Sequence, residues 1–217
     1  MVGHHTVREG SMHYEYGPLA RAMKEGGVFL LNEIDLLDPG TAAGLNSVLD
    51  GYPLTIPENG GEIIFPHPMF KFVATANTNG GSDHTGLYQG TLRQNIAFMD
   101  RFVLMEADYM NEELELSVLQ TYAGATLSED TLRKMIHLAS AVRKLFLGDD
   151  EDGDGTTIEL TFSTRTLIRW ALLTTLYLPQ RDTLQNALAA ALDRSLGFRA
   201  SPPSRQTIEE LMQRIFG

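Results

Sequence analysis

The stretch Val28-Phe29-Leu30-Leu31-Asn32-Glu33 decides the predicted fold. Its first four residues form a short apolar run after two glycines, which is typical of a strand buried on both faces in a parallel sheet. Asn32 and Glu33 follow this run directly, so an amide and a carboxylate stand where the strand ends. In α/β folds, ligands bind at that edge of the sheet. The sequence therefore predicts an α/β fold with a candidate site at this strand end.

Two further apolar runs are flanked by polar side chains. Residues 70–75 are predicted to form the next strand, which runs into a polar glycine loop that contains Asn77. Residues 102–105 are predicted to form a third short strand, and Arg101 stands just before it. A polar strand end is most often only the start of a loop. Three such edges in one chain are less expected by chance, so they favour a functional site.

The segments between these strands predict a helix and a hairpin. Asp38 and Pro39 have the residue types of an N-cap and a first helical position, and they open a predicted helix that runs through Asp50. Residues 54–56 and 63–65 are short apolar runs joined by a glycine-containing turn, which indicates a β-hairpin.

The chain changes character near residue 105, where we predict a domain boundary. Residues 1–105 carry the strands, and residues 106–217 carry apolar residues at the three- and four-residue spacing of helices. The second domain is therefore predicted to be helical, with one short strand at 157–161. Its expected helices cover 111–122, 128–147, 164–178, 181–196 and 204–216.

Composition excludes several functional classes. Lysine and arginine total 17 against 28 acidic residues, so the net charge is −11 and binding to nucleic acid is not expected. The sequence has no cysteine, which excludes disulfides and thiolate chemistry and suits a reducing cytoplasm. No apolar run approaches the roughly 18 residues of a membrane helix. We therefore expect a cytoplasmic protein that does not bind membranes.

In order along the chain, the segments VFLLNEID, FVATANTN, MDRF and STRTLIRWA resemble the MoxR type of AAA+ ATPases. The segments YGPLARAMKEGG, PHPMFKFVATANT and TGLYQGT resemble the CobS-like branch, which contains the motor subunit of cobaltochelatase. The resemblance starts near Val2 and covers nearly the whole chain. It implies a partial P-loop AAA+ core with a parallel sheet and an inserted β-hairpin, followed by a helical lid.

The resemblance also implies roles for the residues at the first two strand ends. Glu33 falls at the Walker B glutamate, which polarises the water that attacks the γ-phosphate of ATP. Asn32 stands where most members have an aspartate that holds the water shell of Mg²⁺, so a weakened metal contact is implied. Asn77 falls at sensor 1, where an amide contacts the γ-phosphate and the attacking water. The alternative for Asn77 is a simple cap of the strand end.

Two arginines match the remaining family positions. Arg101 falls at the arginine finger, which reaches the nucleotide of a neighbouring subunit, and its alternative is a surface ion pair with Asp100. Arg165 matches sensor 2, an arginine on the helical domain that touches the phosphates.

One family motif is absent from the sequence. The phosphate-binding loop G-x-x-x-x-G-K-[ST] does not occur, because none of Lys24, Lys71, Lys134 and Lys144 follows a glycine. We therefore expect a chain that lacks the P-loop segment of its family and does not hydrolyse ATP alone. We also expect its sheet to expose apolar surface and an open strand edge.

The resemblance implies partners as well as cofactors. ATP and Mg²⁺ are the expected ligands, and self-association into a ring, with a hexamer as the expected form, is the expected assembly. A protein with a von Willebrand factor A domain is the expected partner, and the hairpin at 54–65 is a candidate contact element or else a plain surface hairpin. The alternative function is a non-catalytic subunit that supports a ring without turnover.

Overall fold

The computed structural model describes residues 1–78, 91–148 and 158–217. It divides into two compact units, Met1–Met105 and Glu106–Gly217. Residues 79–81 of the predicted glycine loop, residues 85–90 of the segment TGLYQGT, and position 157 of the predicted short strand lie outside the described residues. The architecture is mixed α/β with a short parallel sheet and a helical C-terminal part, which confirms the predicted fold class.

The first unit begins with a hairpin that we did not predict. Strands β1 (Gly3–Arg8) and β2 (Ser11–Tyr16) pair antiparallel, from Gly3 opposite Tyr16 to Arg8 opposite Ser11. Glu9 and Gly10 form its turn and both have positive φ angles, 52° and 77°. Two central residues of positive φ are the signature of a type I′ turn, whose twist matches that of the strands.

A two-stranded parallel sheet forms the centre of the first unit. Helix α1 (Pro18–Glu25) ends at Gly26, whose left-handed conformation (φ 80°) favours glycine. Strand β3 (Val28–Leu31) follows and pairs with a strand far along the chain, which we name β6 (Lys71–Ala74). The register runs from Val28 opposite Lys71 to Leu31 opposite Ala74.

Only one face of this sheet is covered. Phe29 is buried in the core of the unit, and Phe72 packs against it with ring centroids 5.2 Å apart. On the other face, Val28 and Leu30 are 66% and 53% exposed. The prediction that the strand Val28–Leu31 is buried on both faces is therefore wrong, because the described part of the chain supplies no layer for the second face.

The predicted third strand is also wrong. Residues 102–105 have no strand partner among the described residues, and Val103 is 94% exposed. A β-strand is stable only when a neighbouring strand satisfies its backbone hydrogen bonds. Without that neighbour, the apolar run follows the short helix α4 (Ile96–Met99) as an irregular segment.

The elements between β3 and β6 follow the sequence closely. The helix predicted from Asp38 is split at Leu45 into α2 (Pro39–Gly44) and α3 (Asn46–Leu49). Asp38 caps α2 by accepting hydrogen bonds from the backbone N–H groups of Gly40 and Thr41.

The predicted second hairpin is present as β4 (Leu54–Ile56) and β5 (Glu62–Ile64), with Leu54 opposite Ile64. Tyr16 and Lys24 connect it to the first hairpin and to α1. The Tyr16 hydroxyl lies 2.7 Å and 2.8 Å from the two carboxylate oxygens of Glu62, and Lys24 Nζ lies 3.2 Å from Glu62 Oε1. The hydrogen bond from Tyr16, together with those from Asn59 and Lys24, lowers the pKa of Glu62.

The second unit is helical, as the sequence predicted. The short strand predicted at 157–161 is wrong, because residues 158–161 form no strand. Each helix begins with a Ser, Thr or Asn side chain that accepts a hydrogen bond from a backbone N–H in the first turn, which stabilises a helix by about 1 kcal/mol. The helices are α5 (Glu112–Ala123), α6 (Glu129–Leu147), α7 (Thr164–Tyr177), α8 (Leu184–Ser195) and α9 (Pro202–Phe216).

Trp170 lies at the centre of this unit. Its ring is fully buried between Phe162 and Phe216, with centroid distances of 5.7 Å and 6.0 Å. Its indole N–H donates to the backbone oxygen of Leu188 at 3.0 Å, so its one polar atom is satisfied on α8. Trp170 is the single tryptophan of the chain, so its fluorescence reports on this unit.

A buried ion pair joins three elements of the second unit. Arg143 of α6 binds Glu115 of α5 through two hydrogen bonds of 2.7 Å and 2.9 Å, and the two side chains are 8% and 1% exposed. Arg143 also donates to the backbone oxygen of Phe162 at 2.7 Å, and the hydroxyl of Thr164 donates to Glu115 at 2.7 Å. Every charged atom of the pair therefore has a partner, as burial requires.

We expect the substitution Arg143→Met to lower the free energy of unfolding of the second unit by about 3–5 kcal/mol, because it leaves the Glu115 carboxylate buried without a cation. Urea unfolding followed by Trp170 fluorescence measures this loss. Arg133→Met is the control, because Arg133 of the same helix binds Glu113 and Glu129 at the exposed surface. Equal losses of unfolding free energy in the two variants would contradict the expectation that the buried ion pair matters more than the exposed one.

Glu159 caps the last helix from outside it. Its carboxylate accepts hydrogen bonds from the Ser204 hydroxyl and from the backbone N–H of Ser201, the latter at 2.6 Å. Burial by itself raises the pKa of Glu159, but these hydrogen bonds outweigh it and lower the pKa from 4.5 to about 2. The ionised carboxylate also faces the positive end of α9.

Because the folded pKa of Glu159 is lowered, its contribution to stability is present above pH 4.5 and is lost as the pH falls toward 2. We expect Glu159→Gln to destabilise the second unit at pH 6, and the difference from the unaltered protein to shrink between pH 4.5 and pH 3. Urea midpoints from Trp170 fluorescence give this comparison. Glu210→Gln on α9 is the control, and a difference for Glu159→Gln that stays constant with pH would contradict the assignment.

Candidate functional site

The carboxyl ends of β3 and β6 bring the predicted residues together. The strands are parallel, so both end at the same edge of the sheet, and the backbone N–H of Thr75 donates to the oxygen of Leu31 at 3.0 Å. The Thr75 hydroxyl lies 3.3 Å from Asn32 Oδ1 and accepts the backbone N–H of Glu33 at 3.1 Å. Thr75 therefore joins the two polar residues that follow β3.

Glu33 has a backbone conformation that is rare for a residue with a side chain. Its φ and ψ angles are 56° and 53°, in the left-handed region. This conformation costs on the order of 1–3 kcal/mol, and such strain concentrates at functional sites. The N–H of Ile34 donates to the oxygen of Thr75 at 2.8 Å, so both peptides around Glu33 are held by Thr75.

The Glu33 carboxylate is exposed and forms no hydrogen bond or ion pair within residues 1–78, 91–148 and 158–217. Asn77, two residues beyond Thr75, is exposed as well. Its backbone N–H donates to Asp35 Oδ2 at 3.0 Å. The structure thus brings Asn32, Glu33 and Asn77 to one edge of the sheet, with the carboxylate of Glu33 open to solvent.

Asn32 supplies one uncharged oxygen to this edge. Within the described residues there is no cluster of three or more His, Asp or Glu side chains that could hold a metal ion by itself. Mg²⁺ is usually held by one or two carboxylates together with substrate phosphates and water. Asn32 fits the protein side of such a site as one neutral oxygen donor, and the phosphates of a nucleotide together with water would have to supply the other oxygens.

Arg101 lies in the first unit, and its hydrogen bonds go to residues other than Asn32, Glu33 and Asn77. Its guanidinium binds both carboxylate oxygens of Asp50, at 2.9 Å and 3.0 Å, and also donates to the backbone oxygen of Ala97. The ion pair that we weighed for Arg101, with Asp100, is therefore wrong. The partner comes from the residue after α3, which sequence proximity could not indicate.

Arg165 belongs to the second unit, in the first turn of α7. It is exposed and forms no salt bridge with a described residue. Its neighbour Thr164 is held by the buried Glu115, so the start of this helix is fixed.

Sequence analysis missed the residues that hold the site together. Thr75 is predicted only as the end of a strand, because its side-chain partners Asn32 and Glu33 lie far away in sequence and no local pattern indicates them. Gln94 is 3% exposed, and its amide donates to the backbone oxygens of Leu37 and Leu92 at 2.9 Å and 3.3 Å. No local pattern indicates the contact with Leu37, because Leu37 lies 57 residues before Gln94 in the sequence.

Comparisons with known proteins identify the class of this chain. The family described as AAA domain (dynein-related subfamily) matches residues 1–94, and the family described as CbbQ/NirQ/NorQ C-terminal matches residues 115–215. The two matches together span most of the sequence, so the chain belongs to the AAA+ superfamily. Within that superfamily it is a MoxR-type, CobS-like chain, which confirms the predicted resemblance.

One named relative agrees with this assignment, and two uncharacterized proteins are also similar to the chain. The chain is 30% identical over 172 residues to the aerobic cobaltochelatase subunit CobS of Sinorhizobium sp, a match that covers 76% of this chain and 50% of that protein. It is 28% identical over 197 residues to the uncharacterized protein YojN of Bacillus subtilis, covering 89% and 60% of the two chains. An uncharacterized protein of Staphylococcus epidermidis is 35% identical over 119 residues, covering 54% and 42%. The chain thus spans about half the length of the curated relatives it matches.

No helix within the described ranges is both long and apolar enough to cross a bilayer. The cytoplasmic location stays a prediction.

Proposed function

We propose that this chain carries the hydrolytic half of an ATP site in an AAA+ ring that remodels or activates a partner protein. The observation that supports this proposal is the hydroxyl of Thr75, which joins Asn32 and Glu33 where β3 and β6 end. A rigid strand end that carries an open carboxylate beside amide groups suits the activation of water.

Each residue at this edge has a chemical role in the proposal. Glu33 accepts a proton from the attacking water, because its carboxylate has no other partner among the described residues. Asn77 can donate through its amide nitrogen and accept through its amide oxygen, so it can orient a water and contact a phosphate together. Mg²⁺, when bound, neutralises phosphate charge, and the neutral Asn32 contributes a weaker contact to it than an aspartate would.

The phosphate cradle is not among these 217 residues, since the sequence has no G-x-x-x-x-G-K-[ST] motif. We propose that turnover requires this loop from residues outside the 217. The exposed face of β3, with Val28 and Leu30, offers apolar surface on which further elements of a complete core would pack.

In the proposed ring, Arg101 acts on the nucleotide of a neighbouring subunit and Arg165 acts as sensor 2. Arginine suits both roles because its planar guanidinium forms paired hydrogen bonds with phosphate. For Arg101, the bidentate contact with Asp50 keeps the guanidinium in place until a stronger anion is presented.

The proposed partner contact is the hairpin β4–β5. Ile63 is exposed on this hairpin, and Tyr52 and Phe65 flank it with exposed aromatic rings. Clustered aromatic and aliphatic side chains are typical of protein interfaces. The Sinorhizobium relative is named as a cobaltochelatase subunit, and we propose a protein partner here too, of the von Willebrand factor A class that the family resemblance implies.

A second function is favoured by two features of the sequence. Asn32 stands in place of the expected aspartate, and no lysine follows a glycine, so two charged groups of an ATP site are missing from this sequence. The alternative is a non-catalytic subunit that supports the assembly of an AAA+ ring. This alternative predicts a ring in light scattering and no ATP turnover.

The first test is Glu33→Gln in the complete protein that contains the phosphate-binding loop. We expect ATP turnover to fall by at least about a hundredfold, because an amide cannot take the proton of water, while Mg·ATP binding is retained. Steady-state hydrolysis and calorimetry measure the two effects. Glu25→Gln, at the exposed end of α1, is the control.

Unchanged turnover in Glu33→Gln would overturn the role of Glu33. A complete protein that assembles but hydrolyses no ATP would instead support the scaffold alternative.

The second test addresses the action of Arg101 across subunits. We expect Arg101→Ala to reduce turnover by on the order of a thousandfold or more, as loss of an arginine finger does. In rings mixed with unaltered subunits, activity should fall faster than in proportion to the variant fraction. Asp50→Asn is the matched control, because it removes the same ion pair and keeps the arginine. An equal loss in Asp50→Asn would mean that the ion pair, not the finger, matters.

A further inference from the structure

Asp35 is the most deeply buried charged residue near the candidate site. It is 1% exposed and lies two residues after Glu33. Its Oδ2 atom accepts hydrogen bonds from the backbone N–H groups of Asn77 and Thr78, both at 3.0 Å, and from the Thr78 hydroxyl at 3.2 Å. One carboxylate oxygen therefore holds the turn that carries Asn77.

Burying the carboxylate of Asp35 to hold this turn costs free energy of folding. No lysine or arginine of the described ranges forms a salt bridge with it. Its second oxygen, Oδ1, is buried and has no hydrogen-bond partner among the residues that the structure describes. Burying a charge without a cation and with one oxygen unsatisfied opposes folding. Packing alone would be served by an uncharged side chain, so the carboxylate points to a requirement for strong, fixed acceptance from Asn77 and Thr78.

The segment around Asp35 is itself fixed on both sides. The backbone N–H of Leu92 donates to the Asp35 backbone oxygen at 2.7 Å. On the other side, Ile34 and Glu33 donate to Thr75. The end of β3 and the end of β6 thus hold each other, with Thr75 fixing the peptides of Glu33 and Asp35 fixing the peptide of Asn77.

We propose that Asp35 is a positioning residue that fixes Asn77 relative to Glu33 during ATP hydrolysis. This role rests on the proposed function, because it requires Glu33 and Asn77 to act on the same water. Asp35 itself touches neither water nor nucleotide in this role. Asp35 contributes by orienting Asn77, and the correct orientation of reacting groups can raise the rate of a reaction by large factors.

The test is Asp35→Asn in the complete protein. The amide has the same size and keeps one acceptor oxygen, but it is neutral and a weaker acceptor. We expect kcat to fall on the order of ten- to a hundredfold, with KM and the Kd for Mg·ATP little changed. In the 217-residue chain, hydrogen exchange at the amides of Asn77 and Thr78 should accelerate.

Asp38→Asn is a matched control in the same loop. Asp38 also accepts two backbone N–H groups, from Gly40 and Thr41, and a threonine hydroxyl, yet it touches neither Asn77 nor Thr78. We expect its kcat to match that of the unaltered protein. An equal loss of kcat in Asp38→Asn would overturn the proposal, because it would indicate a general effect of loosening the loop.

The remaining outcomes separate this role from the proposed function. If Glu33→Gln abolishes turnover but Asp35→Asn leaves kcat unchanged, the positioning role is wrong and the ATPase stands. A raised KM with an unchanged kcat also overturns the role, because it assigns Asp35 to binding. If the unaltered complete protein does not turn over ATP, both proposals fall. Should Asp35→Asn not fold, Asp35→Glu keeps the charge but moves the carboxylate away from the N–H groups of Asn77 and Thr78, and an unchanged kcat there overturns the role.

Discussion

The parallel pairing of β3 with β6 is the contact on which the first unit depends. It joins residues that the helices α2 and α3 and a hairpin separate in sequence, and it aligns two polar strand ends at one edge. The pairing also fixes Thr75 beside Glu33, so the left-handed backbone of Glu33 is held by the same contact that forms the sheet. Fold and candidate site therefore share one set of hydrogen bonds.

The second unit achieves stability by a different route. Its helices each begin at a side-chain cap and pack around Trp170, with a fully paired ion pair between α5 and α6. These contacts are mostly local or between neighbouring helices, and the residues that make them all belong to this unit. The first unit instead leaves one face of its sheet exposed. The two units thus differ in how complete their cores are.

The sequence predicted where helices begin and end better than it predicted which distant residues contact each other. Apolar periodicity and cap residues located the helices of the second unit within a few residues, because these signals are local. The prediction of a strand at 102–105 is wrong because a strand forms only beside a neighbouring strand, and a local sequence pattern does not show whether one is present. The resemblance pointed to Glu33, Asn77 and Arg101, whereas Thr75 and Asp50 could not be found from the sequence because their roles come from contacts across the fold.

Because Arg101 is already bound to Asp50, binding the nucleotide of a neighbouring subunit would require it to exchange one anion for another. Arg101 would give up one bidentate anion to take another, so the free energy gained is the difference between the two partners. A single carboxylate is a weaker competitor than a terminal phosphate with its higher charge. The arginine would therefore discriminate between nucleotides by their terminal charge, because only an anion stronger than Asp50 can displace it.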